Sequence, residues 1–322
     1  MTDARAGATS RPPAVSVIVP VFNKLRWVGR SADSIMIAAR HAHAEVVFVD
    51  HGSTDGSREV LARHHDALVL DHLGGTVGAV RNAGARRANG EIICFIDCDV
   101  VVQPDHFDRV ARVLAATGAG AVGCEVDISP ERLWLESTWH ALHARRSSGY
   151  RRWINAANLA VRRDVFEALG GFDERLVSAE ENDLCRRLLL AGHTIYEAQE
   201  LSAIHLDNPR TLASFFRQQH WHGLGVRATG KNYLSNKPML MAAANLAALT
   251  AALLVLLVPT RLGWTVRSLG AAGAALAVPT LAYVYRLLQT GRWVNPVRAL
   301  PLLEAYLLAR GVALVRLVGG RV

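Results

Sequence analysis

The sequence predicts an α/β domain with a mostly parallel sheet, followed by a helical membrane hairpin. Short β-branched apolar runs alternate with helix-like segments over the N-terminal two thirds, an order typical of parallel sheets. Polar residues stand where several of these runs end. After Lys237, two long stretches carry no charge. The chain has 322 residues, 51% of them hydrophobic, which is enough for one large or two ordinary domains with a substantial core.

The alternation begins with VSVIVP, a β-branched run that ends at Pro20 and predicts a buried strand. A helix is expected from Lys24 to Arg40, then the strand EVVFVD and a second helix from about Ser57. Next come the strand DALVLDH, the helix TVGAVRNAGARRANG, the strand EIICFIDCD, a helix from about Asp105 to Thr117 and the strand AVGCEVD. This order predicts successive βαβ units.

Glycines mark three predicted helix ends. Gly118 to Gly123 match G-x-G-x-x-G, but these glycines follow a helix and precede a strand, whereas the dinucleotide fingerprint requires the reverse. A helix C-cap and a turn are the expected structure. Farther on, the helix VRRDVFEAL ends at a Gly-Gly pair, and a helix from about Glu181 to Ala191 ends at Gly192.

Composition narrows the function classes. The net charge is +8, but there is no lysine-rich run or zinc-finger spacing and only 7% of the residues are aromatic, so nucleic-acid binding is not expected. Arginines interleaved with apolar segments in the C-terminal third favour a membrane surface. The four cysteines form no CxxC pair, which indicates a reducing, cytosolic location for the domain. Residues 1–13 are polar, contain two prolines and predict a disordered arm.

The C-terminal part predicts membrane association. Residues 239–258 form a charge-free stretch of about 20 residues, enough to cross a ~30 Å hydrocarbon core. Residues 268–285 are also uncharged, although Pro279 would kink a helix there. Residues 299–318 place Glu304, Arg310 and Arg316 among leucines and predict an interfacial amphipathic helix, with a third span as the alternative. For the hairpin, a soluble hydrophobic helical domain is the alternative.

The predicted division is therefore an α/β domain over residues 14–235 and membrane-associated helices over 236–322. A cytoplasmic domain puts Arg261 and Arg267 in the loop on the other side of the membrane. The cytoplasmic flanks would then carry Lys231, Lys237, Arg286, Arg292 and Arg298, as the positive-inside rule requires.

Three neighbouring strand ends offer polar or aromatic groups to one crevice. Asp97 and Asp99 stand at positions i and i+2 after EIICFI, so in an extended segment they share a face at the carboxyl end of the sheet, where ligands bind. Two hard oxygen ligands there suit Mg²⁺ or Mn²⁺; the alternative is that they only end the strand and cap the next helix. Asp50 ends a second strand, and Phe22 follows a third. Arg81 is either a phosphate or base contact or a solvated surface arginine.

The motifs, taken in order, resemble the inverting family-2 glycosyltransferases of the GT-A fold. The matching segments are PVFNK, VDHGSTDGS, AVRNAGARRANGE, FIDCD, NLAVRRDVFEALGGFDERL and AEENDLCRRLLLAGH. They extend from about Val15 to about Gly225, nearly two thirds of the chain, in the order found in that family.

The resemblance assigns the donor site. It implies that Asp97 contacts the nucleotide, that Asp99 ligates a divalent metal, Mn²⁺ or Mg²⁺, and that Asp50 and Phe22 bind the nucleobase. It also places Pro20, Asn23, His51 and Arg81 on the nucleotide-sugar site. The family usually has aspartate where His51 stands and often tyrosine where Phe22 stands, so the sequence leaves the identity of the base open.

The acidic motif of the family falls on Glu180, Glu181 and Asp183. By resemblance its second carboxylate, Glu181, is the general base, with Glu180 and Asp183 as rivals. A glutamate in place of the usual aspartate moves the carboxylate by about one methylene, which matters for a base within ~3 Å of its proton. An acidic first turn that favours the helix dipole is the alternative interpretation.

Four further residues complete the prediction. His205 matches a histidine that many relatives use as a metal ligand, although a lone histidine is often structural. Asn155 and Asn158 occupy the acceptor-side segment. Trp221, in FFRQQHWHGLG, lies where processive relatives carry QxxRW, and it is expected to stack on an acceptor sugar. The degraded motif predicts addition of one or a few sugars.

These observations predict a metal-dependent inverting glycosyltransferase at the inner membrane, with its catalytic domain in the cytoplasm. The expected donor is a nucleotide-diphosphate sugar, and the expected acceptor is lipid-linked or part of a cell-envelope glycan. A sugar nucleotidyltransferase and a non-catalytic membrane scaffold with the same fold are the alternatives.

Overall fold

A computed structural model describes residues 14–143, 147–226, 236–258 and 263–319. The predicted arm over residues 1–13 lies outside the described residues, as do the expected cytoplasmic Lys231 and the expected loop residue Arg261.

Strands and helices alternate through the first half of the α/β domain, as the sequence predicts. They are β1 (Val15–Val21), α1 (Leu25–His41), β2 (Glu45–Asp50), α2 (Ser57–Leu61), β3 (Leu68–Asp71), α3 (Val77–Arg87), β4 (Ile92–Ile96), β5 (Val100–Val101), α4 (His106–Thr117), β6 (Ala121–Gly123) and β7 (Asp127–Ile128).

The second half of the domain is more irregular. It contains α5 (Trp134–His143), β8 (Gly149–Arg151), β9 (Asn158–Arg162), α6 (Arg163–Ala168), α7 (Glu180–Leu190), β10 (Ile195–Glu197), a 3₁₀ turn (Gln199–Leu201), β11 (Ile204–His205) and α8 (Leu212–Leu224).

The main sheet has eight strands in the order β3-β2-β1-β4-β9-β6-β10-β8. Its pairs are parallel except where β9 lies between β4 and β6 and where β8 closes the edge beside β10. Helices cover both faces. Val17 and Val19 of β1 pack toward α1 and α4, whereas Ile18 packs toward α3, α6 and α7. The predicted α/β fold with a mostly parallel sheet is confirmed.

Several elements differ from the prediction. AVGCEVD forms two short strands, β6 and β7, and not one. β9 was not predicted, because NLAVR is a brief apolar run directly before a helix and resembles the first turn of that helix. Gly118 has φ +63° and ends α4, so the expected C-cap in GAGAVG is present.

A small second sheet, in the order β5-β11-β7, stands at the carboxyl ends of the main strands. β11 runs antiparallel to β5, with His205 opposite Val100. Ser31 of α1 holds β5 in place by donating its hydroxyl to the Val100 carbonyl at 2.6 Å. This sheet therefore brings the segment around His205 next to the residues that follow β4.

Three long helices follow the α/β domain: α9 (Lys237–Leu257), α10 (Trp264–Thr290) and α11 (Pro296–Val318). α9 and α10 pack on each other, and both are long and apolar enough to cross a membrane. Only 17% of the most apolar window of each is buried within the protein, so most of their apolar surface faces outward. α10 continues through Pro279 and is longer than the predicted 268–285 at both ends.

α11 lies between the α/β domain and the hairpin of α9 and α10. It contacts α5 and α8 on one side and α9 and α10 on the other. Leu302 packs with Leu135 and Phe215 of the α/β domain, and Leu303 joins a cluster with Tyr283 of α10. α11 thus joins the two parts of the molecule.

Candidate active site

The two aspartates that follow β4 stand on a turn. β4 ends at Ile96, and the Val100 amide donates to the Asp97 carbonyl at 3.0 Å, which closes the turn before β5. Cys98 between them is 5% exposed and belongs to the apolar core. The carboxylates therefore share a side because the turn directs Cys98 inward; the strand alternation expected from the sequence has already ended.

Asp97, Asp99 and His205 form a cluster that suits a divalent metal. One ligand atom from each lies within 4.8 Å of the others, and His205 Nε2 is 3.4 Å from Asp99 Oδ1. The Leu206 amide donates to the Asp99 carbonyl at 2.8 Å, which fixes the histidine beside the aspartate. Two carboxylates with one imidazole form a donor set that Mn²⁺ accepts. The sequence-predicted metal residues are therefore together in space.

A lysine ammonium already contacts this cluster. Lys24 Nζ lies 2.7 Å from Asp99 Oδ2 and 2.5 Å from Asp207 Oδ2. Burial alone would lower the pKa of Lys24, but the carboxylates of Asp99 and Asp207 raise it above its ordinary value. A positive charge is therefore stabilised at this end of the sheet. Neither Lys24 nor Asp207 was predicted as a site residue. The available signals were the position of Lys24 after β1 and the i, i+2 spacing of His205 and Asp207.

The predicted nucleotide side is formed by the loops after β1 and β2. Asp50 is 2% exposed, and its Oδ2 accepts from the Gly52 and Ser53 amides at 3.0 and 2.9 Å. Its other oxygen has no hydrogen-bond partner among the described residues. A buried carboxylate oxygen without a donor is costly unless a ligand supplies one.

The exposed part of this side is aromatic. Phe22 is 54% exposed, and its ring meets the His51 ring edge-on at 5.7 Å. His51 is held by a contact of 2.9 Å between its Nδ1 and the His72 carbonyl. Asn23 has φ +49°, and its Oδ1 accepts from the Thr54 amide at 2.8 Å, so it ties the two loops together. Pro20 is buried within β1.

Arg81 connects the two acidic motifs. It is 4% exposed and donates to Asp97 Oδ1 at 2.8 Å and to Glu180 Oε1. The interpretation of Arg81 as a solvated surface residue is wrong, because the guanidinium is buried. Both of its terminal nitrogens are paired with carboxylates, so it holds the turn after β4 against the start of α7.

The three acidic residues of α7 have different surroundings. Asp183 is 6% exposed and paired with Arg186 at 3.0 Å and Arg187 at 2.7 Å, and Glu180 is paired with Arg81. Glu181 is half-buried and has no cationic partner within hydrogen-bond distance among the described residues. Burial, together with the nearby Glu180 charge, raises the pKa of Glu181 to about 7. Glu181 thus differs from the other two acidic residues, because it has no cationic partner among the described residues and a pKa near neutrality.

The three expected acceptor residues have different surroundings, since two are exposed and one is buried. Asn155 is exposed, and its Oδ1 accepts from the Ala157 amide at 2.9 Å. Trp221 on α8 is 40% exposed, and its carbonyl accepts from Ser178 Oγ at 3.2 Å, next to the start of α7.

Asn158 does not face an acceptor. It is 2% exposed, its amide donates to the Leu201 carbonyl at 2.7 Å, and its Oδ1 is 3.2 Å from His106 Nε2. These contacts tie β9 to the 3₁₀ turn and to α4, so the side chain is part of the interior.

Two family models match this sequence. The one described as Glycosyl transferase family 2 matches residues 16–166, and the one described as Glycosyl transferase family group 2 matches residues 92–289, more than half of the chain. The chain belongs to the family-2 glycosyltransferases. The resemblance carried by the sequence motifs is confirmed, and with it the enzyme class.

Individual relatives support the assignment of this glycosyltransferase. Glycosyltransferase AglE of Haloferax volcanii is 27% identical over 215 residues, which cover 62% of this chain and 69% of AglE. Succinoglycan biosynthesis protein ExoA of Rhizobium meliloti is 24% identical over 238 residues, which cover 69% of this chain and 71% of ExoA. The matched part is only 17% of O-antigen biosynthesis protein RfbC of Myxococcus xanthus.

Solved structures share the fold. The mannosyltransferase PcManGT from Pyrobaculum calidifontis, in complex with GDP-Man and Mn²⁺, aligns with a TM-score of 0.59 at 23% identity over 97% of this chain and 89% of its own. GalNAc-T7 with UDP, GalNAc and Mn²⁺ aligns with a TM-score of 0.50 at 13% identity, over 69% of this chain and 52% of its own. The predicted GT-A fold is thereby confirmed.

Proposed function

We propose that this glycosyltransferase is a metal-dependent inverting enzyme that moves a sugar from a nucleotide-diphosphate sugar to a hydroxyl of a lipid-linked or cell-envelope glycan acceptor. The observation that carries the proposal is the bridge through Arg81. It joins Asp97 of the metal cluster to Glu180, the residue before Glu181. This bridge would hold the metal and the donor sugar at a fixed distance from the general base.

Asp99 and His205 would hold the metal, with Asp97 within reach of both the metal and the nucleotide. The cluster fits such an ion because it combines carboxylate oxygens with one imidazole and already stabilises the Lys24 ammonium. When bound, the metal supplies positive charge that stabilises the departing nucleoside diphosphate. The Lys24 ammonium would then lose its contact with Asp99 and pair with Asp207 alone or with the diphosphate.

Glu181 would take the proton from the acceptor hydroxyl. The acceptor oxygen then attacks the anomeric carbon of the donor sugar, and the bond from that carbon to the diphosphate oxygen breaks. One displacement inverts the anomeric configuration and requires no covalent enzyme intermediate. Asp50 and Phe22 would hold the nucleobase of the donor. Asp50 would use its buried oxygen that has no partner among the described residues, and Phe22 would stack on the ring.

The membrane assignment rests on α9 and α10. Their outward apolar surface favours insertion as a hairpin, with the catalytic domain on the cytoplasmic side of the inner membrane. A membrane-borne acceptor is consistent with the glycan-assembly names of ExoA and RfbC. Trp221 and Asn155 are the acceptor-side residues that are exposed to a sugar.

The proposal is tested by incubating the full-length protein with GDP-mannose and with UDP-sugars, with and without Mn²⁺, and with a membrane extract as acceptor. The expected result is Mn²⁺-dependent release of a nucleoside diphosphate and labelling of extracted lipid or glycan. Release of pyrophosphate would identify a nucleotidyltransferase. No turnover of any donor would leave a scaffold role and overturn the proposal.

A further inference from the structure

A second cluster of polar groups lies away from the catalytic residues, where α8 meets α11. Arg310 of α11 donates to Gln219 Oε1 of α8 at 3.3 Å, and its guanidinium lies 5.3 Å from the centre of the Tyr306 ring. Gln219 is 5% exposed, and Arg310 Nε is buried without a hydrogen-bond partner among the described residues. The two helices thus enclose a cation.

No carboxylate compensates this charge within the described part of the chain. Arg310 forms no salt bridge there, and a buried charge that lacks a counter-ion is strongly unfavourable. The nearest acidic residue on the same helix, Glu304, is instead bonded to Asn245 of α9 at 3.0 Å. An anion from outside the protein would supply the missing partner.

Two histidines of α8 near this arginine are kept neutral. Burial and the Arg310 charge lower the pKa of His222 to about 4, and burial and Arg316 lower the pKa of His220. The Nε2 atom of His220 is buried without a partner among the described residues. Two arginines and two histidines therefore lie near this junction, and the hydrogen bond from Arg310 to Gln219 is made to a neutral group.

The junction has a direct connection to the catalytic base. Trp221, between the two histidines, accepts from Ser178 through its carbonyl. At Gly225 a Cβ atom would lie 2.8 Å from the Ala179 Cβ, so the end of α8 lies tightly against the residues that precede Glu181. The junction also adjoins the hairpin, because a Cβ at Gly223 would lie 3.7 Å from Met239 of α9.

We propose that Arg310, with Gln219 and His222, binds the phosphate of a membrane-borne lipid acceptor, an inference that rests on the lipid-linked acceptor proposed above. A guanidinium presents a planar fork that matches phosphate oxygens, and a neutral imidazole and an amide add hydrogen bonds. α11 contacts both the catalytic domain and the hairpin, so the headgroup of a lipid that lies beside the hairpin would be within reach of α11. The sugar end of such an acceptor would extend along α8 toward Glu181.

Native mass spectrometry of the detergent-solubilised full-length protein tests this site without turnover. The probes are a polyprenyl monophosphate, the uncharged polyprenol, phosphatidylglycerol and inorganic phosphate. We expect one polyprenyl phosphate per protein, with binding reduced about tenfold or more in Arg310→Gln and less in Arg310→Lys, which keeps the charge but loses the fork. Arg298→Gln is the matched control, because it removes one exposed charge from the same helix.

Four outcomes would overturn the site: unchanged binding in Arg310→Gln, an equal loss in Arg298→Gln, equal binding of phosphatidylglycerol, or binding of inorganic phosphate alone. If Arg310→Gln does not fold, the ligand-induced rise in Tm of the wild type against that of Arg310→Lys gives the same comparison, and equal rises would contradict the proposal. Donor turnover by the wild type is measured separately. Its absence would refute the proposed function and leave the binding result intact.

Discussion

Arg81 is the residue on which both halves of the candidate site depend. Its guanidinium is buried and paired on one side with Asp97 and on the other with Glu180. The planar guanidinium presents a separate nitrogen to each carboxylate, Nη2 to Asp97 and Nη1 to Glu180. The position of the turn after β4 relative to α7 is therefore set by one arginine.

Replacing Arg81 with methionine should unfold or loosen this region, because it leaves two carboxylates without their cation. We expect a loss of about 3–5 kcal/mol in the free energy of unfolding, the range found when one partner of a buried pair is removed. Arg86→Gln on the same helix is the control, since Arg86 is 61% exposed in its pair with Glu174. Equal losses in the two variants, measured by thermal or denaturant unfolding, would contradict the role of Arg81.

Glu181 should set the pH dependence of transfer. The pKa of this carboxyl is raised from an ordinary 4.5 to about 7, and only its ionised form accepts a proton. We expect kcat/KM to fall about tenfold per pH unit below 7 and to level off above it. A profile that stays flat down to pH 5 would exclude Glu181 as the base.

The raised pKa of Glu181 also predicts how the free energy of unfolding depends on pH. A carboxyl whose folded pKa exceeds its unfolded pKa stabilises the protein fully below about 4.5, and this contribution is lost as the pH rises through about 7. Glu181→Gln removes the cost of ionisation. It should abolish transfer and yet raise Tm at pH 8 relative to the wild type; a lower Tm would indicate that the carboxylate itself supports the fold.

The site residues could be predicted only in part. Asp97, Asp99, Asp50 and His205 stand at strand ends or in ordered motifs, which is information that the sequence contains. The ammonium of Lys24 reaches Asp207 across 183 positions of the chain, and no local pattern encodes such a pair. Asn158 was misjudged for a related reason, because its partners on α4 and the 3₁₀ turn are brought together only by the tertiary fold.

At the level of elements, α8 and α11 approach each other closely at a glycine. A Cβ atom at Gly223 would lie 2.6 Å from the Ala313 Cβ, a distance that real Cβ atoms do not adopt. This contact brings Gln219 of α8 within reach of Arg310 of α11. The spacing of α8 and α11 therefore depends on glycine, which has no side chain, at position 223.

Gly223→Ala should separate α8 from α11 and cost about 1–3 kcal/mol, the usual range for overpacking. Gly270→Ala on α10 is the matched control, because no atom lies within 4 Å of the added Cβ. The control should be stabilising by about 0.5–1 kcal/mol, since alanine favours a helix over glycine. Thermal unfolding of the two variants in the same detergent decides the matter, and a neutral Gly223→Ala would contradict the close approach.

Elements marked by a continuous apolar run were predictable, and short elements without one were not. The β-branched runs of β1, β2 and β4 bury both faces and stand out in the sequence, as do the charge-free stretches of α9 and α10. β9 pairs antiparallel with β4 and β6, and its position is fixed by these two neighbours and not by its five residues.

At the level of the whole molecule, the hairpin should place the catalytic domain on the cytoplasmic side. All four native cysteines are buried, so an added exposed cysteine can be labelled selectively. In cells with a permeable outer envelope, a membrane-impermeant maleimide should react with Gly263→Cys, at the start of α10, and not with Ala116→Cys, on the exposed face of α4. Labelling of Ala116→Cys alone would reverse the orientation, and equal labelling of both would argue against a spanning hairpin.

The most direct test of the central proposal is the Mn²⁺ dependence of nucleotide-sugar turnover in wild type and Asp99→Asn. Asp99 is 4% exposed and contacts both Lys24 and His205, whereas Asp66, the site of the control Asp66→Asn, lies in an exposed pair with Arg40. We expect Asp99→Asn to lose roughly 100-fold in turnover and to bind Mn²⁺ weakly, as seen by electron paramagnetic resonance, while Asp66→Asn behaves as wild type. Full Mn²⁺-dependent turnover in Asp99→Asn would contradict the proposed metal site.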